Sequence, residues 1–308
     1  MSDRINGKVP SDIQETTYTG KDETMKPKTL DRRCCWAVVA GLIVTLVCGC
    51  ANLSAIREFA DISASTAEHT QLTKEYVQWP QTQKRYQPTS EYDKLDHMTA
   101  QRTLQEKTLL PRHALIGEYM DALGQLAADE VVMYNKEVDA LGKAAKEAKF
   151  ADEKEEAAFN AVAKLLLTAA TDAWRQAKLK AFVRTSNSDI KTVIAGLRQI
   201  VNEGFLGDLE VETEAVRKYY QTIILDSSDK AGIAALNEWR EAKLESIAKR
   251  RKAIETYSIS LQKISDAHQK LNDAVLVNVV TSKEFLGQMS RYAKDIRTAY
   301  STITSLRQ

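Results

Sequence analysis

After Pro111 the chain carries no proline, so the remaining 197 residues run from Arg112 to Gln308 without one. Proline removes a backbone donor and clashes with the preceding turn, so its absence leaves helices free to run on. Glycine, the other breaker, appears only eight times beyond Cys50. A stretch this long, rich in Ala, Leu, Lys, Glu and Gln, predicts helix. No run shows the alternation and turn clusters of a sheet.

The apolar spacing predicts where the helices lie. Leu53, Ile56, Phe59, Ile62, Leu72, Tyr76 and Trp79 fall at helical steps, and Pro80 is expected to stop that helix. Residues 81–90 read as a loop and 92–109 as a shorter helix. Pro111 suits the first turn of a long helix over 112–148, with Ile116, Tyr119, Leu123, Leu126, Tyr134, Val138, Leu141 and Ala145 as its stripe. Asp152 caps the next helix, whose stripe (Phe159, Val162, Leu166, Ala170, Ala173, Ala177) continues to about Thr185. Ser186 with Asp189 reads as a capping box. Ile190, Val193, Leu197 and Ile200 follow, Gly204 and Gly207 weaken the segment, and "DSSDK" at 226–230 is a further cap.

The last long stretch is the most regular. Ile247, Ile254, Leu261, His268 and Val275 recur every seven residues, and Tyr257, Ile264 and Leu271 recur three further on. That is a seam of the coiled-coil kind. Helices with such stripes cover one another side by side. The expected fold is all-α: an elongated antiparallel helical bundle, or stack of coiled-coil-like hairpins, tethered at its N-terminal end.

The tether comes from the N-terminal region. Lys26, Lys28, Arg32 and Arg33 precede a 12-residue apolar run, Trp36 to Val47. A basic flank, a short apolar core and a small residue before the cut describe a secretory signal. The end of the run, Val47-Cys48-Gly49-Cys50, resembles the lipobox of bacterial lipoprotein precursors. There an aliphatic residue stands three before the cysteine and a small residue one before it. The resemblance implies a signal peptide over 25–49. It also implies that Cys50 is diacylated on sulfur, becomes the mature N-terminus and receives a further chain on its amine. Several acyl chains hold a protein durably where one does not. Ala51 and Asn52, in place of an Asp, imply transfer to the periplasmic face of the outer membrane. An uncleaved membrane helix over 34–50 is the other reading, at the lower edge of a span. Both put the body on the same side, because the basic flank stays cytoplasmic. Residues 1–24 are polar and aperiodic, and a complete precursor start begins at Met25. They are expected to be an upstream extension or a tail outside the mature 50–308 domain.

Composition narrows the partners. The net charge is +1, with no basic excess to suggest nucleic acid. All four cysteines (Cys34, Cys35, Cys48, Cys50) lie within or at the end of the apolar run, so the body has no disulfide framework and no thiolate metal site. The four histidines, His69, His97, His113 and His268, form no Glu-x-x-His pair, and no HExxH, phosphate loop or GxSxG is present. Asp93 and His97, four apart, read as a solvated pair rather than a metal site. His268, polar in the seam, reads as a register-fixing residue. Lys249, Arg250, Arg251 and Lys252 form the only dense basic run; it is read as a solvated helix face, or as a contact for anionic lipid or an acidic partner. Residues 274–280, AVLVNVV, are read as core; Trp174 and Trp239 sit outside the cleanest stripes and are read as core between helices, with an exposed binding patch as the other reading.

No cofactor beyond the covalent lipid on Cys50 is expected. The leading expectation is a non-enzymatic, lipid-anchored periplasmic scaffold or adaptor with a membrane and a protein as partners. An exclusion or immunity lipoprotein that blocks a toxin, phage or secretion machine is the first alternative. A ligand-binding or enzymatic bundle with no readable motif is the second.

Overall fold

A computed structural model of the chain describes residues 53–306, except 134, 148–149 and 151. The signal, the lipobox and Cys50 therefore lie outside the described residues, as does Tyr134. Every described helix lies in one compact unit within 51–308. Among the described residues there are nine α-helices and no strand: α1 (Ser54–Ala67), α2 (Gln71–Gln83), α3 (Tyr92–Ala127), α4 (Lys136–Glu147), α5 (Glu153–Thr171), α6 (Leu179–Ile200), α7 (Leu206–Asp226), α8 (Lys230–Leu276) and α9 (Lys283–Ser305). None of them is long and apolar enough to cross a membrane.

The body is all-α as the sequence predicts, and its core forms around α3 and α8. The C-terminal half of α3 is buried on most sides: Leu115, Ile116, Tyr119, Met120, Leu123 and Leu126 are all inaccessible. Helices α1, α2, α5 and α6 surround it. The eight seam residues of α8, from Ile247 to Val275, are all buried. They are covered within the chain by α6, α7, α9 and α1. Helix α9, capped by the Ser282 hydroxyl accepting from the Phe285 amide, lays Met289, Ala293, Ile296 and Ile303 over α8 and α1.

Several predicted boundaries fall elsewhere. Pro80 and Pro111 stop nothing; both lie inside helices, α2 and α3, so the helices read over 92–109 and from 112 are one. The helix expected over 112–148 breaks across 128–135, and the one expected to reach Thr185 ends at Thr171. Ser186 is no cap: it lies within α6, where its hydroxyl donates back to the Phe182 carbonyl at 2.8 Å. The single helix read from Leu53 to Trp79 turns at 68–70. Gly204 and Gly207 do not interrupt the chain's helicity. Residues Val201–Phe205 form a π-helical turn that joins α6 to α7. A Cβ on Gly204 would lie 3.1 Å from the Tyr76 ring, which stacks on Phe205 at 4.5 Å, so glycine makes room there. Asp152 caps α5 as read, accepting from the Lys154 amide, and within the 226–230 stretch read as a cap it is Asp229 that caps α8, accepting from the Ala231 and Gly232 amides.

Three of the helix ends share one mechanism. After α3, α5 and α8 the chain enters the left-handed region at Asp129 (φ 59°), Ala173 (φ 50°) and Asn278 (φ 60°). In each case the following amide reaches back to the carbonyl five residues earlier: Glu130 to Gln125, Trp174 to Ala169, Val279 to Ala274. These are Schellman endings made without glycine. A β-carbon in this conformation costs about 1–2 kcal/mol. Ala173→Gly, at an exposed site, should therefore raise the unfolding free energy by about 1 kcal/mol, read as a higher urea midpoint at unchanged m-value. A lower midpoint would contradict the assignment.

Candidate functional site

Two histidines are inaccessible to solvent, each hydrogen-bonded between α3 and α8 to a tyrosine of the other helix. His113 on α3 places Nδ1 2.7 Å from the Ala67 carbonyl and Nε2 2.9 Å from the Thr73 hydroxyl. A carbonyl only accepts, so Nδ1 carries the proton and the neutral ring accepts from Thr73. Tyr257 of α8 closes the group, its hydroxyl 3.0 Å from the same Nδ1. The second pair is the converse. His268 on α8 donates from Nδ1 to the Asn187 side-chain carbonyl at 3.0 Å, and its Nε2 accepts from the Tyr119 hydroxyl of α3 at 2.6 Å. Ser186 lies 2.7 Å from that hydroxyl. Burial pushes His113 down to about 4 and His268 down to about 3, and it pushes both tyrosines up. All four groups are therefore neutral near pH 7 and fully partnered. This arrangement fixes the register of α8, the role expected of His268.

Two buried ion pairs add to it. Arg102 grips Asp208 with two bonds of 2.6 Å and stacks 4.2 Å from the Tyr76 ring centroid. Burial still pushes Asp208 up to about 6 against the pull of that guanidinium. Arg112 holds Glu155 from Nε and Nη2, and a Cβ at Gly196 would collide with that carboxylate. Beside the first pair, Glu212 accepts from the Trp79 indole at 3.2 Å and from Arg250 at 2.6 Å, with Lys243 at 3.3 Å. The adjoining cavity, lined by Tyr76, Trp79, Phe205 and Arg250, has a volume of about 20 Å³. It has room for a water molecule and none for an organic ligand.

The basic run thus divides. Arg250 turns inward to Glu212, Lys249 pairs with Glu245, Arg251 lies between Glu210 and Glu255, and Lys252 is exposed. Asp93 and His97 are both exposed, and His97 bonds Gln101. Trp174 is half-buried against the core, as expected, whereas Trp239 is 61% exposed and corrects the core reading. It stands on an arm. From residue 217 on α7 to residue 246 on α8 no side chain is buried; the two helices cover each other there, and beyond them Tyr86 packs on Tyr219 and Lys243 near the base. Leu225, 76% exposed, lies on the same arm.

The one grouping with metal-ligand spacing among the described residues is Glu68, Glu118 and Asp121, with carboxylate oxygens within 4.8 Å of one another. Oxygen ligands of this kind suit a hard divalent cation. Burial raises all three acids, and Asn135 donates to Glu118 at 3.0 Å.

The histidines set a pH dependence. The unfolded chain protonates each near 6.5, whereas the folded chain resists until about 4 and about 3. Between those values the unfolded state binds more protons, so stability falls as pH falls below 6.5. Each histidine contributes a slope of about 1.4 kcal/mol per pH unit. Asp208, raised to about 6, works in the opposite direction over part of this window. A variant comparison separates the two. His113→Gln or His268→Gln should each flatten the slope of unfolding free energy between pH 6 and 4.5 by about 1.4 kcal/mol per unit. An unchanged slope would contradict the neutral, buried assignment.

No family model, no curated protein and no solved structure matches this chain.

Proposed function

We propose that the protein is a lipid-anchored, non-enzymatic helical scaffold or adaptor of a bacterial envelope. Residues 25–49 act as its signal peptide, and Cys50 carries the lipid and holds the mature 50–308 domain on the periplasmic face of the outer membrane. The observation that carries this reading is how soon the folded body begins. Leu53 is already 5% exposed, and Ile56 and Phe59 are inaccessible. Three residue steps separate Cys50 from Leu53, a reach of about 11 Å. A chain acylated at Cys50 thus holds a structured body directly against its membrane, with no long linker between.

Helix α8 gives that body a dimension. Its 47 residues span about 70 Å at 1.5 Å per residue. One end leads to the arm with Leu225 and Trp239, and the other ends beside Leu53, near the tether. The elongated bundle works in this reading as a spacer that offers the arm to a protein partner away from the lipid. Exposed apolar side chains on the arm favour such a partner whether it is recruited or blocked.

Replacing Cys50 with alanine should abolish incorporation of a palmitate analogue and leave a precursor of uncleaved mass. Normal labelling and processing in that variant would overturn the anchor.

A further inference from the structure

Three inter-helix turns meet at one end of the body. The turns after α3, α5 and α8 are joined there. Arg175 donates to the Asp129 carbonyl at 3.0 Å, the Val132 amide to the Trp174 carbonyl at 3.0 Å, and Lys180 to the Asn278 side chain. Leu53, the first described residue, lines the same cleft as Asp129, Gln176, Asn278 and Val280. This is therefore the end at which the chain arrives from Cys50.

The turn after α8 is built unlike a solvated loop. Leu276, Val277 and Val279 are 58%, 68% and 41% exposed, while Val275 and Val280 on either side are buried. The Schellman bonds of Asn278 hold the three apolar side chains outward on a closed backbone. Residues 274–280 are thus only partly core, which corrects the reading of the whole stretch as buried. Among the described residues none covers the outward side chains. Charge on the joined turns and their flanks is balanced, with Arg175, Lys180 and Lys283 set against Asp129, Asp273 and Glu284. Attraction to an acidic surface is therefore not the force available. Burial of apolar area is.

We propose that residues 276–279 dock into the interface of the bilayer that carries the lipid on Cys50. This rests on the anchor reading above. A tether of about 11 Å from an acylated Cys50 to Leu53 keeps this end of the body at the headgroups, where an exposed Leu and two Val side chains lose contact with water. The anchor supplies the affinity, and the turn sets the orientation. With α8 entering the bilayer at its C-terminal end, the arm points away from it.

The full-length protein, purified with its lipid and reconstituted in phosphatidylethanolamine vesicles, tests this directly. Val277→Cys is labelled with nitrobenzoxadiazole, and Trp239→Cys on the arm, labelled in the same way, is the comparator. Both positions are exposed, so neither label disturbs packing. The 277 label should shift to the blue and lose emission when brominated phosphatidylcholine is included, and the 239 label should do neither. A palmitate-bearing protein that floats with vesicles while its 277 label stays water-like would overturn the docking and leave the anchor standing. A protein that carries no palmitate overturns the anchor and the docking with it.

Discussion

The body depends on burying one face of α8. A 47-residue helix with an apolar seam is not stable alone in water, and the seam from Ile247 to Val275 is covered by four other helices of the same chain. Apolar packing alone would tolerate a slip along such a repeat, because each seven-residue step resembles the last. The two Tyr–His pairs remove that freedom. A slip would leave His268 without Tyr119 and Tyr257 without His113, stranding buried polar groups at a cost of about 1–3 kcal/mol each. Polar contacts thus select the register, and apolar area supplies the stability.

The same division explains the rest of the core. The Arg102–Asp208 and Arg112–Glu155 pairs tie α3 to α7 and α5, where chain separations of 106 and 43 residues must be brought together. Removing one partner of such a pair is costly, because the other is left charged and buried. Away from these ties the structure thins. Beyond the contacts of Tyr86 with Tyr219 and Lys243, the arm is two helices packed on each other, and it is there that Leu225 and Trp239 reach the surface.

Much of this is legible in the sequence. The seven-residue repeat identifies every seam residue, because periodicity reports burial directly. Asp152 and the 226–230 stretch that holds Asp229 are legible as caps because such side chains act locally. The breaks after Ala127 and Thr171 are not, since glycine is the expected signal and Asp129 and Ala173 take its place. Pro80 and Pro111 mislead in the opposite sense: tertiary packing around Trp79, Leu109 and Arg112 outweighs the lost backbone bonds. Trp239 lies outside the cleanest apolar stripes, which leaves core and exposed patch both open in the sequence, and it is exposed because α8 outruns the helices able to cover it. The role of His113 is invisible in the sequence because its partners, Ala67, Thr73 and Tyr257, are distant along the chain. A tyrosine in a seam is the available sign, since its hydroxyl needs a buried partner.

Cys50 and the arm meet in one claim, that α8 stands as a spine between the bilayer and an exposed tip. Neutron reflectometry of the lipidated protein on a supported bilayer measures this as a layer thickness. If the turn after α8 faces the lipid, the protein layer should extend about 70 Å, the length of that helix. A layer of about 20–30 Å, two or three helix diameters, would mean that the body lies flat and would contradict the account.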